Sequence, residues 1–174
     1  IGGYTSGYTG KTVAIDVGEG CELTTDDMTS EDSFPVQDSS YEYTNGLWEW
    51  EAECGSSTTT IKLYYYNVSS AGLTARKFST ITNTYFTLDD ATFEEVTING
   101  QPVTVVTYQI TDNSVRDMNL DVGMINDPVG IATSVTSGQA SLANTGSNQS
   151  IFLSLVLLSA SLSLVYAIKY KNSI

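Results

Sequence analysis

The chain has 174 residues, with 20 acidic and 7 basic side chains, no histidine and a formal net charge of −13. All 20 acidic residues precede Pro128, against five basic ones there (Lys11, Lys62, Arg76, Lys77 and Arg116), so that portion carries −15. Such a surface repels nucleic acid and anionic lipid headgroups, which argues against both as ligands, and the lack of histidine removes the commonest general base and zinc ligand.

Thr, Ser, Tyr, Gly and Asn are abundant, the composition of an extracellular β protein. One folded domain with a proper core is expected. Residues 1–11 open with IGGYTSGYTG, glycine-rich and polar, without an initiator Met or a visible signal peptide. They read as a linker from an upstream region of a longer chain. Lys11–Val17 alternates Val13, Ile15 and Val17 on one face and predicts a first strand ending at Gly18-Glu19-Gly20. Residues 22–40 are acidic and Ser/Thr-rich and read as a long loop, with Phe34-Pro35 as a local anchor.

Tyr41–Cys54 is the clearest strand. After the Asn45-Gly46 turn signal, Trp48, Trp50, Ala52 and Cys54 alternate with Glu49, Glu51 and Glu53. The three glutamates are either a catalytic or cation-binding set or, more plainly, the wet face of a half-buried strand. Cys21 and Cys54 are an even count, read either as a disulfide of an exported protein or as two buried thiols. Thr58–Val68 predicts a strand carrying Tyr64, Tyr65 and Tyr66. Tyr64 and Tyr66 share a face and could stack on a glycan; ordinary cross-strand aromatic pairing is the plainer reading. Shorter strands follow at Ala75–Ile81 and Thr84–Leu88. Phe93–Ile98 then meets Asn99-Gly100, a strong hairpin signal, and Val103–Ile110 returns.

Thr111–Ala132 (TDNSVRDMNLDVGMINDPVGIA) places Asp112, Asp117, Asp121 and Asp127 at spacings of five, four and six. Oxygen ligands on a loop suit Ca²⁺, although the EF-hand pattern is absent. Asp and Asn also serve turns through side-chain-to-backbone bonds, so both readings stand and no cofactor is required. Residues 133–150 hold no charge and read as a flexible spacer. Residues 151–168 carry no charge, Pro or Gly. As a helix they would span roughly 27 Å, close to the ~30 Å hydrocarbon core. Lys169 and Lys171 follow, which places residues 169–174 in the cytoplasm and the rest outside.

Within the spacer stand Leu142, Ala143, Asn144, Thr145 and Gly146. A pentapeptide, an apolar span and a basic tail in this order resemble the C-terminal sorting signal of Gram-positive surface proteins. The resemblance implies transient recognition by a sortase and cleavage between Thr145 and Gly146. Ala143 departs from the commoner Pro and narrows the choice of sortase. An uncleaved membrane anchor is the competing reading.

A second resemblance rests on Tyr108, Ile110, Thr111 and Asp112, followed by Gly123, Ile125, Asp127, Pro128, Gly130 and Ala132. With Phe34-Pro35 and Asn45-Gly46-Leu47-Trp48-Glu49-Trp50 upstream, these residues look like the bacterial choice-of-anchor U domain over roughly residues 12–132. Members stand just before a C-terminal anchor, and the resemblance implies no catalytic residue. Ser114-Val115-Arg116 replaces the usual Gly-Asp-Asp richness, which weakens a cation inference drawn from the family.

The expected fold is all-β, an antiparallel β-sandwich over 12–132 with a jelly-roll variant as the alternative, followed by a single transmembrane helix. The expected function is a non-catalytic cell-surface module that presents upstream domains. An adhesive or glycan-binding domain and a two-carboxylate glycosidase are the alternatives.

Overall fold

A computed structural model of the chain describes residues 4–6, 10–55 and 57–135. The chain divides into two units, Ile1–Ser134 and Val135–Ile174, and the described strands all belong to the first. In chain order these are β1 (Tyr4–Thr5), β2 (Thr12–Asp16), β3 (Cys21–Thr29), β4 (Tyr41–Glu42), β5 (Leu47–Cys54) and β6 (Thr58–Tyr66), then β7 (Leu73–Ser79), β8 (Thr84–Thr87), β9 (Thr92–Ile98), β10 (Gln101–Thr111) and β11 (Met124–Ser134). Sheet A runs β1-β2-β6-β10-β9; sheet B runs β3-β5-β11-β7-β8, with β4 also pairing β11. Every pairing among these strands is antiparallel. The described residues therefore form an all-β, sandwich-like unit.

Alternation along the strands builds the core. On β5, Trp48, Trp50, Ala52 and Cys54 are buried while Glu49 and Glu53 are exposed. From sheet A come Val13, Ile61, Leu63, Tyr65, Val106, Tyr108 and Ile110, and from sheet B Ala75, Ile125, Val129 and Ile131 join one apolar cluster. Trp48 meets Tyr65 edge-on at 6.2 Å between ring centroids, a favoured aromatic geometry. The β9–β10 hairpin closes at Asn99 and Gly100, both with positive φ (51° and 80°), as a two-residue turn with right-handed strand twist requires.

The outer faces differ. On sheet B, Tyr43, Leu47, Phe78 and Ala132 form a second apolar cluster against Phe34, Val36, Tyr41 and Tyr85. Phe34 lies 4.8 Å from Phe78, so the expected local anchor packs on the back of this sheet. Asp38 ties the segment down, accepting from the Arg76 guanidinium at 2.6 Å and the Tyr43 hydroxyl at 2.9 Å. Gly130 sits under the turn into β5: a Cβ there would fall 2.9 Å from Gly46 O and 3.0 Å from Tyr43 Cδ1, so a side chain would displace that turn.

Four differences from the sequence reading have physical causes. The stretch expected as linker contains β1, which pairs the edge of β2 through Tyr4–Val13 and Thr5–Thr12. The expected loop of residues 22–40 contains β3, an edge strand whose exposed Thr and Asp positions hide the alternation; Met28 is its buried residue. The strand expected over 41–54 is broken by a turn into β4 and β5. The Asp-rich stretch ends in β11, which lies inside sheet B between β5 and β7 and runs two residues past 132. Pro128 argues against a central strand because it lacks an N–H. It is tolerated because the β7 ladder starts one residue later, at Val129–Lys77. Among the described residues no helix is long and apolar enough to cross a membrane; the expected span 151–168 lies outside them.

Candidate functional site

The polar centre of the molecule is buried between the sheets. Inward alternation on β11 runs Ile125, Asp127, Val129 and Ile131, and on β7 it runs Ala75, Lys77 and Ser79. The register sets Lys77 opposite Val129, so Asp127 is its diagonal neighbour on the same face. Lys77 Nζ contacts Asp127 Oδ1, and both side chains are 0 % exposed. Across the core, the Tyr108 hydroxyl of β10 donates to Asp127 Oδ2 at 2.7 Å. Burial pushes the Lys77 amine below the ordinary lysine range, against the pull of the Asp127 carboxylate. Burial and the same carboxylate push the Tyr108 phenol well up, so it remains a donor.

The four aspartates of the expected calcium set take different roles. Asp127 turns into the core as described. Asp117 is also fully buried, and its two oxygens accept the N–H groups of Asn113, Asn119 and Asn126 at 2.8, 2.9 and 3.0 Å. Asp112 Oδ2 accepts from Gly123 N at 2.9 Å, while Asp121 is exposed at the rim of the loop. No group of three or more His, Cys, Asp or Glu is placed to hold a metal ion among the described residues. The Asp-rich piece thus closes its own turns with side-chain-to-backbone bonds.

Tyr64 and Tyr66 do share a face, the outer one of sheet A, beside Ala14, Val103 and Val105. They are 8 % and 7 % exposed, so neither ring offers an open stacking surface. Cys21 and Cys54 stand directly opposite on β3 and β5 and are joined as a disulfide. Glu49, Glu51 and Glu53 lie on the outer face of sheet B, where Glu53 opposes Glu22 and Glu49 opposes Asp27. Beside them is an open hollow of about 470 Å³ bordered by Glu51, Asn119, Asp121 and Asn126 and by the apolar Met118 and Leu120. The sorting pentapeptide, Leu142–Gly146, lies outside the described residues.

Sequence reasoning gave Lys77 no role beyond its charge and Tyr108 none beyond the family resemblance, and took Asp127 for a loop residue. A signal was present: Lys77 falls in phase with Ala75, and Tyr108 with Val106 and Ile110, and a charge on an apolar face needs a partner. No family model, curated protein or solved structure matches the chain.

Proposed function

We propose that this chain is a non-catalytic module of a cell-surface protein, held at its C-terminal end and presenting upstream domains outside the cell. In this reading the β unit is a sandwich of the choice-of-anchor type. Residues 151–168 form the membrane helix, Lys169 and Lys171 lie inside, and a sortase acts transiently at Thr145–Gly146. The observation that carries it is the order of segments: a β unit whose last strand ends at Ser134, a charge-free spacer, the pentapeptide, the apolar stretch and the basic tail. The Cys21–Cys54 disulfide supports an oxidising, extracellular setting. The near-closed faces of Tyr64 and Tyr66 rank a glycan-binding role behind this one.

Mass spectrometry of the cell-envelope form tests it. A C-terminus at Thr145 joined to wall material is the expected result, and a membrane-bound chain with Ile174 intact would reduce the mode of attachment to a plain tether. A chain released without detergent as a freely soluble particle, Ile174 intact, would overturn the reading.

A further inference from the structure

We propose that Lys77 and Asp127 condense within the folded core to an amide, a covalent cross-link between β7 and β11. An amine and a carboxyl group are held in contact, each fully buried, on neighbouring strands of one sheet. Water does not separate them, and the fold supplies the orientation that an intermolecular amide synthesis lacks. A buried ion pair recovers its lost hydration poorly, whereas a neutral amide has less hydration to lose.

The step balances without any outside reagent. A proton passes from the Lys77 ammonium to Asp127 Oδ1, which it contacts, leaving a neutral amine and a neutral acid. The Nζ lone pair adds to Asp127 Cγ, and negative charge develops on Oδ2. That oxygen already accepts the Tyr108 hydroxyl at 2.7 Å, so the donor stands where the oxyanion forms. The Cγ–Oδ1 bond then breaks, and Oδ1 leaves as water with a second proton from the nitrogen. One N–C bond forms, one C–O bond breaks, and no electron changes hands. The low proton affinity that burial gives Lys77 favours the neutral amine the addition needs.

The cross-link closes a loop between two residues 50 apart in sequence. Tension applied along β11 from its C-terminal side would pass through the amide into β7 and bypass β8, β9 and β10. The reaction needs only the core geometry and does not depend on how the chain is attached to a cell.

Intact mass of the purified full chain, reduced and denatured, is the test. The expected mass is one water below the value calculated for its own termini and free thiols. Fragmentation of a digest should yield a branched peptide joining the Lys77 and Asp127 segments, and Lys77→Met should restore the water. The wild-type mass and its branched peptide decide the matter whether or not the variant folds. A wild-type chain of full mass would overturn the proposal, as would a water deficit that persists in Lys77→Met.

Discussion

Asp127 draws its two oxygens' partners from different sheets, Lys77 beside it and Tyr108 across the core. Lys77→Met leaves the buried Asp127 carboxyl without the partner that ion pair or amide gives it, and the expected loss of unfolding free energy is about 3–5 kcal/mol. Tyr108→Phe leaves one buried oxygen unpaired and should cost about 1–3 kcal/mol. Denaturant titrations that place both variants within about 0.5 kcal/mol of wild type would contradict this picture of the centre, since that is the scatter of ordinary surface substitutions. Arg116 and Asp90 are the surface contrast, paired at 2.7 Å. The hydrogen bond from Arg116 holds the Asp90 carboxyl below its usual range. A depressed folded value means the pair stabilises above the unfolded value, about 3.9, and that contribution disappears as pH falls through the folded one. Being exposed, the pair contributes about 0–1 kcal/mol. Arg116→Met should therefore show its pH-dependent deficit at neutral pH and close it at the acid end of a pH-stability profile; a deficit that grows with acid would contradict the assignment. What hid Asp127 in the sequence was its company: Asn126 before it and Pro128 after it are turn residues, so local chemistry pointed to a loop while the period of two ran on beneath.

Among the elements, β3 and β5 carry opposing demands. Their register places Glu22 opposite Glu53 and Asp27 opposite Glu49, and like charges directly across a ladder repel. The disulfide at the end of the same ladder, and Met28 at the other, hold an edge that electrostatics loosens. Replacing both cysteines by serine should destabilise the fold by about 3–4 kcal/mol on the loop-entropy account. Glu53→Gln should stabilise it by about 0.2–1 kcal/mol, since it removes one like-charge pair. Added salt screens the same repulsion, so the gain from Glu53→Gln should shrink as ionic strength rises. A melting series in which the gain is absent at low salt, or grows with salt, would remove the repulsion as a cause. β5, with one dry face, was legible because apolar and polar residues alternate along it, and β6 and β10 because β-branched and aromatic residues run along them. β3 was not, because an edge strand leaves Thr and Asp exposed along most of its length and loses the contrast on which a period of two depends.

At the scale of the whole molecule, local pattern reveals the strands but not their neighbours. The hairpin through Asn99-Gly100 could be read because a two-residue turn forces β9 against β10. Nothing local says that β11 inserts between β5 and β7, because that order is set by which inward faces close the core together. The insertion makes the end of the described unit part of its centre. Val129 and Ile131 of β11 pack in the main core, and Ala132 packs under the segment that covers the back of sheet B. A chain ending at Val135 keeps every described strand and should unfold cooperatively, with Trp48 and Trp50 sequestered from an aqueous quencher. A chain ending at Asp127 loses the whole of the ladders to β7 and β4 and three of the seven pairs to β5, together with three buried apolar side chains, and should show both tryptophans quenched as in denaturant. If the shorter chain still protects its tryptophans, sheet B closes without β11, and the insertion between β5 and β7 is not what holds it. If instead the chain ending at Val135 is already unfolded, residues 136–174 contribute to the domain's stability.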